Sequence, residues 1–133
     1  MTLYVDTSAL LKRYVEEHDS EVAEALIATD SVLVTSRLTE VEVRRNLARL
    51  LDKDQQAEYK RQLSVDLDAF ALVNLDATTC NEAARIAEET LCRSLDSLHL
   101  AAAWRAGPAT TVLTFDIRQA QAARTIGLSV IGV

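Results

Sequence analysis

An α/β protein built on a mostly parallel sheet of four or five strands is what this sequence predicts, on three observations. Short runs of aliphatic and β-branched residues have the length of strands, and stretches with apolar residues at helical spacing stand between almost every pair of them. Gly107-Pro108 and Gly127 mark stops where a helix gives way to a strand. Strands that alternate with helices need crossover connections, which run right-handed and lay helices on both faces of the sheet.

In chain order, residues 3–5 form the first expected strand, and residues 9–15 and 20–28 carry apolar side chains at the spacing of helices. A second strand is expected at 32–35, followed by helical patterns at 38–51 and 55–67. Between those two helices, the stretch from Asp52 to Asp54 reads as the turn of a helical hairpin projecting from the sheet, a candidate interaction surface. A third strand at 71–75 precedes helices at 80–91 and 95–106. Gly107 readily takes a left-handed cap and Pro108 cannot continue a helix, so the pattern stops there. Strands at 111–115 and 129–133 bracket a last helix at 119–126, which Gly127 ends.

A chain of 133 residues with 49% hydrophobic composition is long enough for one sizeable core and short for two, so one domain spanning 1–133 is expected. No Pro-, Gly- or Ser-rich stretch marks a linker, and no internal repeat is present. The N-terminus lacks a basic region followed by an apolar core, and no run of about 18 apolar residues exists to span a bilayer; a cytoplasmic protein is expected. Cys80 and Cys92 fit neither a metal-ligand spacing nor a disulfide framework and read as small buried side chains. A net charge of -6 argues against the broad basic surface of non-specific nucleic-acid binders. Any phosphate substrate must be handled locally, by a few arginines and bound cations.

Ligands of open parallel sheets bind outside the carboxyl ends of the strands, which gives weight to Asp6 and Asp116, each directly after a strand and before a helix. Hydroxyl residues accompany both, Thr7 and Ser8 in one case and Thr114 in the other. Each aspartate can equally serve as the cap of the helix that follows. In SLDSLHLAAAW, Ser94 reads as the cap and Asp96 falls in the first turn, where the helix dipole favours its ionised form. His99, one turn later, reads as a packed or hydrogen-bonded histidine outside the chemistry. A helical wheel over TSRLTEVEVRRNLARL sets Glu42 with Arg45, Asn46 and Arg49, and Glu40 with Val43 and Leu47. Glu42 is the better candidate for a polar cleft; Glu40 suits a surface ion pair with Arg44 at i, i+4.

VDTSALLKRY, TSRLTEVEVRR, RSLDSLHLAAA and LTFDIRQAQAARTIGLSVI, in this order over nearly the whole chain, resemble the PIN-domain family and especially its VapC toxins. The resemblance implies an α/β/α sandwich with strand order 3-2-1-4-5, in which Asp6 and Asp116 are neighbours. By position, Asp6, Glu42 and Asp96 match the family's core acidic residues, Asp116 matches a fourth, more variable one, and Thr114 matches a nearby hydroxyl position. Glu42 rather than Glu40 aligns, standing six residues after Ser36. The implied function is that of a ribonuclease toxin: a homodimer with a cognate VapB antitoxin, forming a heterotetramer or larger assembly, whose antitoxin tail occupies the acidic cleft.

Clustered carboxylates repel one another when ionised, and hard oxygen ligands without cysteine or histidine suit Mg2+ or Mn2+ rather than Zn2+. One ion or two can polarise a phosphodiester and activate water. Asp6 and Asp96 are then the principal ligands, Glu42 and Asp116 bind directly or through water, and Ser8 and Thr114 orient waters. Arg45 and Arg49, on the Glu42 side of their helix, are candidate RNA phosphate contacts. Two rivals stand beside this. One is a phosphatase with Asp6 as nucleophile, although VDTSAL lacks a second aspartate two residues on. The other is a binding or dimerisation module of the same fold without turnover.

Overall fold

The computed structural model describes residues 1–29 and 32–133. In chain order it forms β1 (Thr2–Val5), α1 (Thr7–Leu11), α2 (Ser20–Ile27), β2 (Val32–Ser36), α3 (Arg37–Leu50), α4 (Lys53–Leu67), β3 (Ala71–Val73), α5 (Ala77–Thr90), α6 (Ser94–Arg105), β4 (Thr111–Leu113), α7 (Ile117–Thr125) and β5 (Ser129–Ile131). Every expected element is present, although the first helix, expected over 9–15, ends at Leu11 and gives way to a turn over 12–15. Most helices begin a few residues earlier than their apolar periodicity does, because polar caps and not apolar residues start them. Asp76 accepts from Thr79 N at the head of α5 and Asp52 from Gln55 N at the head of α4. The last three strands end two residues short of their apolar runs, where the chain already turns toward the next helix or the C-terminus.

All strand pairs are parallel, in the order β3-β2-β1-β4-β5. The central strand β1 is covered on both faces, hence its unbroken apolar run. Its side chains alternate between two cores. Leu3 and Val5 pack with Leu10, Val43, Leu47 and Leu63 from α1, α3 and α4. Tyr4 points the other way, toward Ile86, Leu100 and Ala123 from α5, α6 and α7. Ala101, Ala102 and Ala103 are fully buried, and their small side chains let α6 lie close on that face. The sheet's growth reverses between β1 and β4, which opens a crevice at their carboxyl ends.

The α3–α4 hairpin has the expected turn, closed by a capping box between Asp52 and Gln55. It is not a free projection, however. Leu63 and Leu67 of α4 belong to the core, and Asp66 accepts hydrogen bonds from the Tyr14 hydroxyl at 2.7 Å and Gln62 Nε2 at 2.9 Å. The cysteines also depart from expectation. Cys80 is exposed and Cys92 half-buried, since Cys80 lies on the outer side of the first turn of α5 and Cys92 in the connection after it. That connection turns at Leu91, which takes a left-handed backbone with φ 57°. Among the described residues, no helix is long and apolar enough to cross a membrane.

Burial, and then the adjacent Asp66, push the Tyr14 phenol above its ordinary range, so it donates to the buried carboxylate throughout the physiological range. Tyr14→Phe removes one of the hydrogen bonds on that charge and is expected to lower the unfolding free energy by about 1.5–3 kcal/mol in urea titrations. A loss under about 0.5 kcal/mol would mean that the remaining partners satisfy Asp66 unaided.

Candidate active site

Asp6 leaves β1 almost fully buried, at 2% exposure. Its Oδ1 accepts from Ala9 N at 2.9 Å, capping α1, and from Ser8 Oγ at 2.7 Å. Its Oδ2 accepts from Thr114 Oγ1 at 2.6 Å. The same Thr114 hydroxyl accepts from Asp116 N at 3.0 Å, while Ser8 Oγ accepts from Phe115 N at 2.9 Å. Asp116 Oδ1 caps α7 through Arg118 N and Gln119 N, and its Oδ2 faces away from the helix toward Arg93. Capping and site placement are therefore not alternatives for either aspartate: each divides its two oxygens between neighbours.

Glu42 reaches the same place from α3. Its Oε1 accepts from Thr7 Oγ1 at 2.7 Å and stands 2.6 Å from His99 Nε2, whose Nδ1 is 2.8 Å from the Tyr4 hydroxyl. Burial works against the charge on Glu42, but the His99 bond and charge, Thr7 and Arg45 outweigh it and hold the carboxyl below its ordinary range. Burial likewise opposes a charge on His99. The Tyr4, Glu42 and Asp6 groups around it prevail and push it up to about 10. His99, set aside on sequence grounds, thus anchors Glu42, and Thr7 does so as well. The available signal was that His99 stands three residues after Asp96 and so shares its side of the helix. Glu40 lies outside this cavity, and its ion pair is with Arg37, at 3.9 Å, rather than with Arg44.

Asp96 sits in the first turn of α6, as expected, but Ser94 is not its cap. Arg93 holds the cap position, and Ser94 is the first helical residue, its carbonyl accepting from Ser97 Oγ. Arg93 Nε donates to Asp96 Oδ2 at 2.9 Å, and its Nη2 to Asp116 Oδ2 at 3.2 Å. Arg93 is a site residue that the strand-end and wheel patterns of the sequence do not mark. Arg45 and Arg49 are exposed on α3 beside the cavity without lining it; Arg49 donates to Asn46 Oδ1, and Asn46 to the Glu42 carbonyl.

These groups line one cavity of about 630 Å³ that contains Asp6, Glu42, Asp96 and Asp116 together with Ser8 and His99. The donor chemistry suits a hard divalent cation: carboxylate oxygens from four segments, two of them nearly buried. Among the described residues no three such side chains already converge as a metal cage, since hydroxyls, backbone N–H groups, His99 and Arg93 hold the oxygens. The fit is one of residue type and place, with side chains that must turn toward an ion.

The PIN domain family matches residues 3–125. Ribonuclease VapC46 of Mycobacterium tuberculosis is 34% identical over 131 residues, covering 97% of this chain and 95% of that protein. Among solved structures, FitAcB from Neisseria gonorrhoeae superposes with a TM-score of 0.79 at 20% identity, over 98% of this chain and 96% of that one. VapBC2 from Rickettsia felis, bound to a DNA fragment from its promoter, gives 0.72 at 15% identity over 98% and 97%. The two structural likenesses speak to the fold.

Desolvation raises the Asp6 carboxyl above its ordinary range, and the His99 charge and the bonds from Thr114, Ser8 and Ala9 offset this only in part. A carboxyl raised on folding favours the folded state most at low pH, and that contribution is lost as pH rises through the folded-state pKa. The metal-free Asp6→Asn variant is therefore expected to be more stable than the wild type near pH 8, the two converging near pH 4, in urea titrations across that range. Greater stability of the wild type at the upper end would contradict this electrostatic account of Asp6.

Proposed function

Because this chain belongs to the PIN domain family, in its VapC branch, we propose that it is a metal-dependent endoribonuclease, the toxin of a type II toxin-antitoxin pair. The observation that carries this is the gathering of Asp6, Glu42, Asp96 and Asp116 in one cavity at the carboxyl ends of β1 and β4. Asp6 and Asp96 would hold a Mg2+ or Mn2+ ion most directly, with Glu42 and Asp116 as direct or water-mediated ligands. A bound ion of this kind supplies Lewis acidity toward the phosphodiester and its attacking water. Around it the chain fixes geometry. Thr114 holds Asp6 against the Asp116 backbone, Ser8 secures the other Asp6 oxygen, and Thr7 and His99 set the direction of Glu42.

The preference for RNA rests on the name of the ribonuclease relative, and the partner on structural neighbours described as toxin-antitoxin complexes. A single catalytic domain, homodimeric and cytoplasmic, held by a VapB-type antitoxin, is the assembly in which this reading places the chain. Total cellular RNA incubated with antitoxin-free protein and Mg2+ or Mn2+ should give discrete fragments on a gel, abolished by EDTA. Asp6→Asn and Asp96→Asn should each lower cleavage by more than the roughly 10–100-fold typical of losing an outer-shell group. Equal cleavage by either variant would place the activity elsewhere or in a contaminant. Arg45 and Arg49, exposed beside Glu42, are assigned to phosphates flanking the cut. Neutralising both should weaken RNA binding and shrink the slope of log K against log salt by about 0.7 per lost single-strand contact, as measured by fluorescence anisotropy. An unchanged slope would remove them from the interface.

A further inference from the structure

Arg93 has no part in the metal-ligand set, yet it is bonded to two of its members. It stands at the cap of α6 with extended backbone and gives that helix no side-chain capping bond. Its guanidinium instead spans carboxylates from different elements, Asp96 on α6 and Asp116 at the head of α7. The Asp96 side chain is 8% exposed and that of Arg93 60%, so one end of the pair is fixed and the other is free to leave. The other lysine or arginine on the cavity wall is committed: Lys12 Nζ meets Glu17 at 2.9 Å and lies 4.9 Å from the centre of the Phe115 ring.

We infer that Arg93 is a built-in counter-ion that holds Asp96 and Asp116 until a divalent cation takes them, and that it then turns to the scissile phosphate of the RNA. This role rests on the proposed ribonuclease activity. Ionised carboxylates in one cavity repel each other, and a guanidinium across two of them relieves part of that repulsion. A divalent ion at the same oxygens takes its acceptors and repels its charge. The guanidinium end of the pair is open to water, which limits the cost of its release, while a divalent ion would take over the charge of the buried Asp96. The freed side chain stays on the cavity rim, and its planar fork matches two oxygens of a phosphate. Arg93 thus opposes metal binding and favours substrate binding, a pair of effects of opposite sign that a merely structural residue does not produce.

Calorimetric titration of Mn2+ into the metal-free wild type, Arg93→Gln and Arg93→Lys, beside RNA-cleavage kinetics of the same proteins, separates the two effects. Arg93→Gln should bind Mn2+ about two- to fivefold more tightly, the worth of an exposed ion pair. Its kcat/KM should fall roughly 100-fold, as when one preorganised donor to a reacting group is lost. Arg93→Lys, which keeps the charge without the fork, should bind Mn2+ like the wild type and recover only part of the cleavage. Unchanged or weaker Mn2+ binding by Arg93→Gln, or cleavage equal to the wild type, would overturn the role of Arg93 and leave the ribonuclease intact. Absence of both Mn2+ binding and cleavage in the wild type would overturn the ribonuclease reading, and this role with it.

Discussion

The hydroxyl of Thr114 stands between two aspartates from different strands, and the layout of the cavity depends on that one group. It donates to Asp6 and accepts from the backbone of Asp116. Such sharing requires β1 and β4 to run parallel and to end level, as the pairing of Val5 with Leu113 makes them. The helices that follow then leave from one edge, each capped by its own aspartate with an oxygen to spare. Thr114 is held from the far side too, by a bond from its backbone N to the Ile131 carbonyl. The next residue, Gly132, has a φ of 109°, and a Cβ there would collide with the Thr114 carbonyl, so glycine is what lets the end of β5 come so near.

The four acidic residues are anchored differently, and the differences follow from burial. Asp6 lies deepest, so its charge depends on hydroxyl and backbone donors and on nearby His99. Glu42 enters on a longer side chain and is steadied by groups from β1, α1 and α6 through Tyr4, Thr7 and His99. Asp96 and Asp116 share an exposed guanidinium. A polar network of this kind holds its members in place only while each keeps its partners, and the buried charge it maintains works against the stability of the fold.

Much of this could be read from the chain, and the remainder was hidden for a physical reason. Strand and helix alternation, the stop at Gly107-Pro108 and the carboxylates after the first and fourth strands are local signals, each contained within a few residues. Strand order is not local and came from family resemblance. The groups that steady the carboxylates are distant in sequence: Glu42 and His99 are 57 residues apart, Thr7 and Glu42 35, Arg93 and Asp116 23. No periodicity encodes such meetings. The Arg93–Asp96 half of the bridge was different, since an i, i+3 pair at a helix start is a recognisable spacing. The cysteines are less buried than their residue type is on average, because Cys80 lies on the outer side of α5 and Cys92 in the connection that follows it.

On the ribonuclease reading, a chain with net charge -6 must approach a polyanion against long-range repulsion, and the distribution of its cations bears on that problem. Repulsion between exposed charges is screened beyond about 8 Å at physiological ionic strength, so binding is decided by what lies at the contact. There the average charge is misleading. Arg45 and Arg49 lie on one side of α3, and Arg44, Lys53, Lys60 and Arg61 line a groove between α3 and α4 on the other. The hairpin thus gathers cations on both sides of the helix that delivers Glu42 to the cavity. The cavity itself is acidic and repels a phosphate until a cation or an arginine neutralises it. On that reading, cations on the hairpin and a neutralisation requirement at the cavity are separate features of the surface, set on different sides of the helix that carries Glu42.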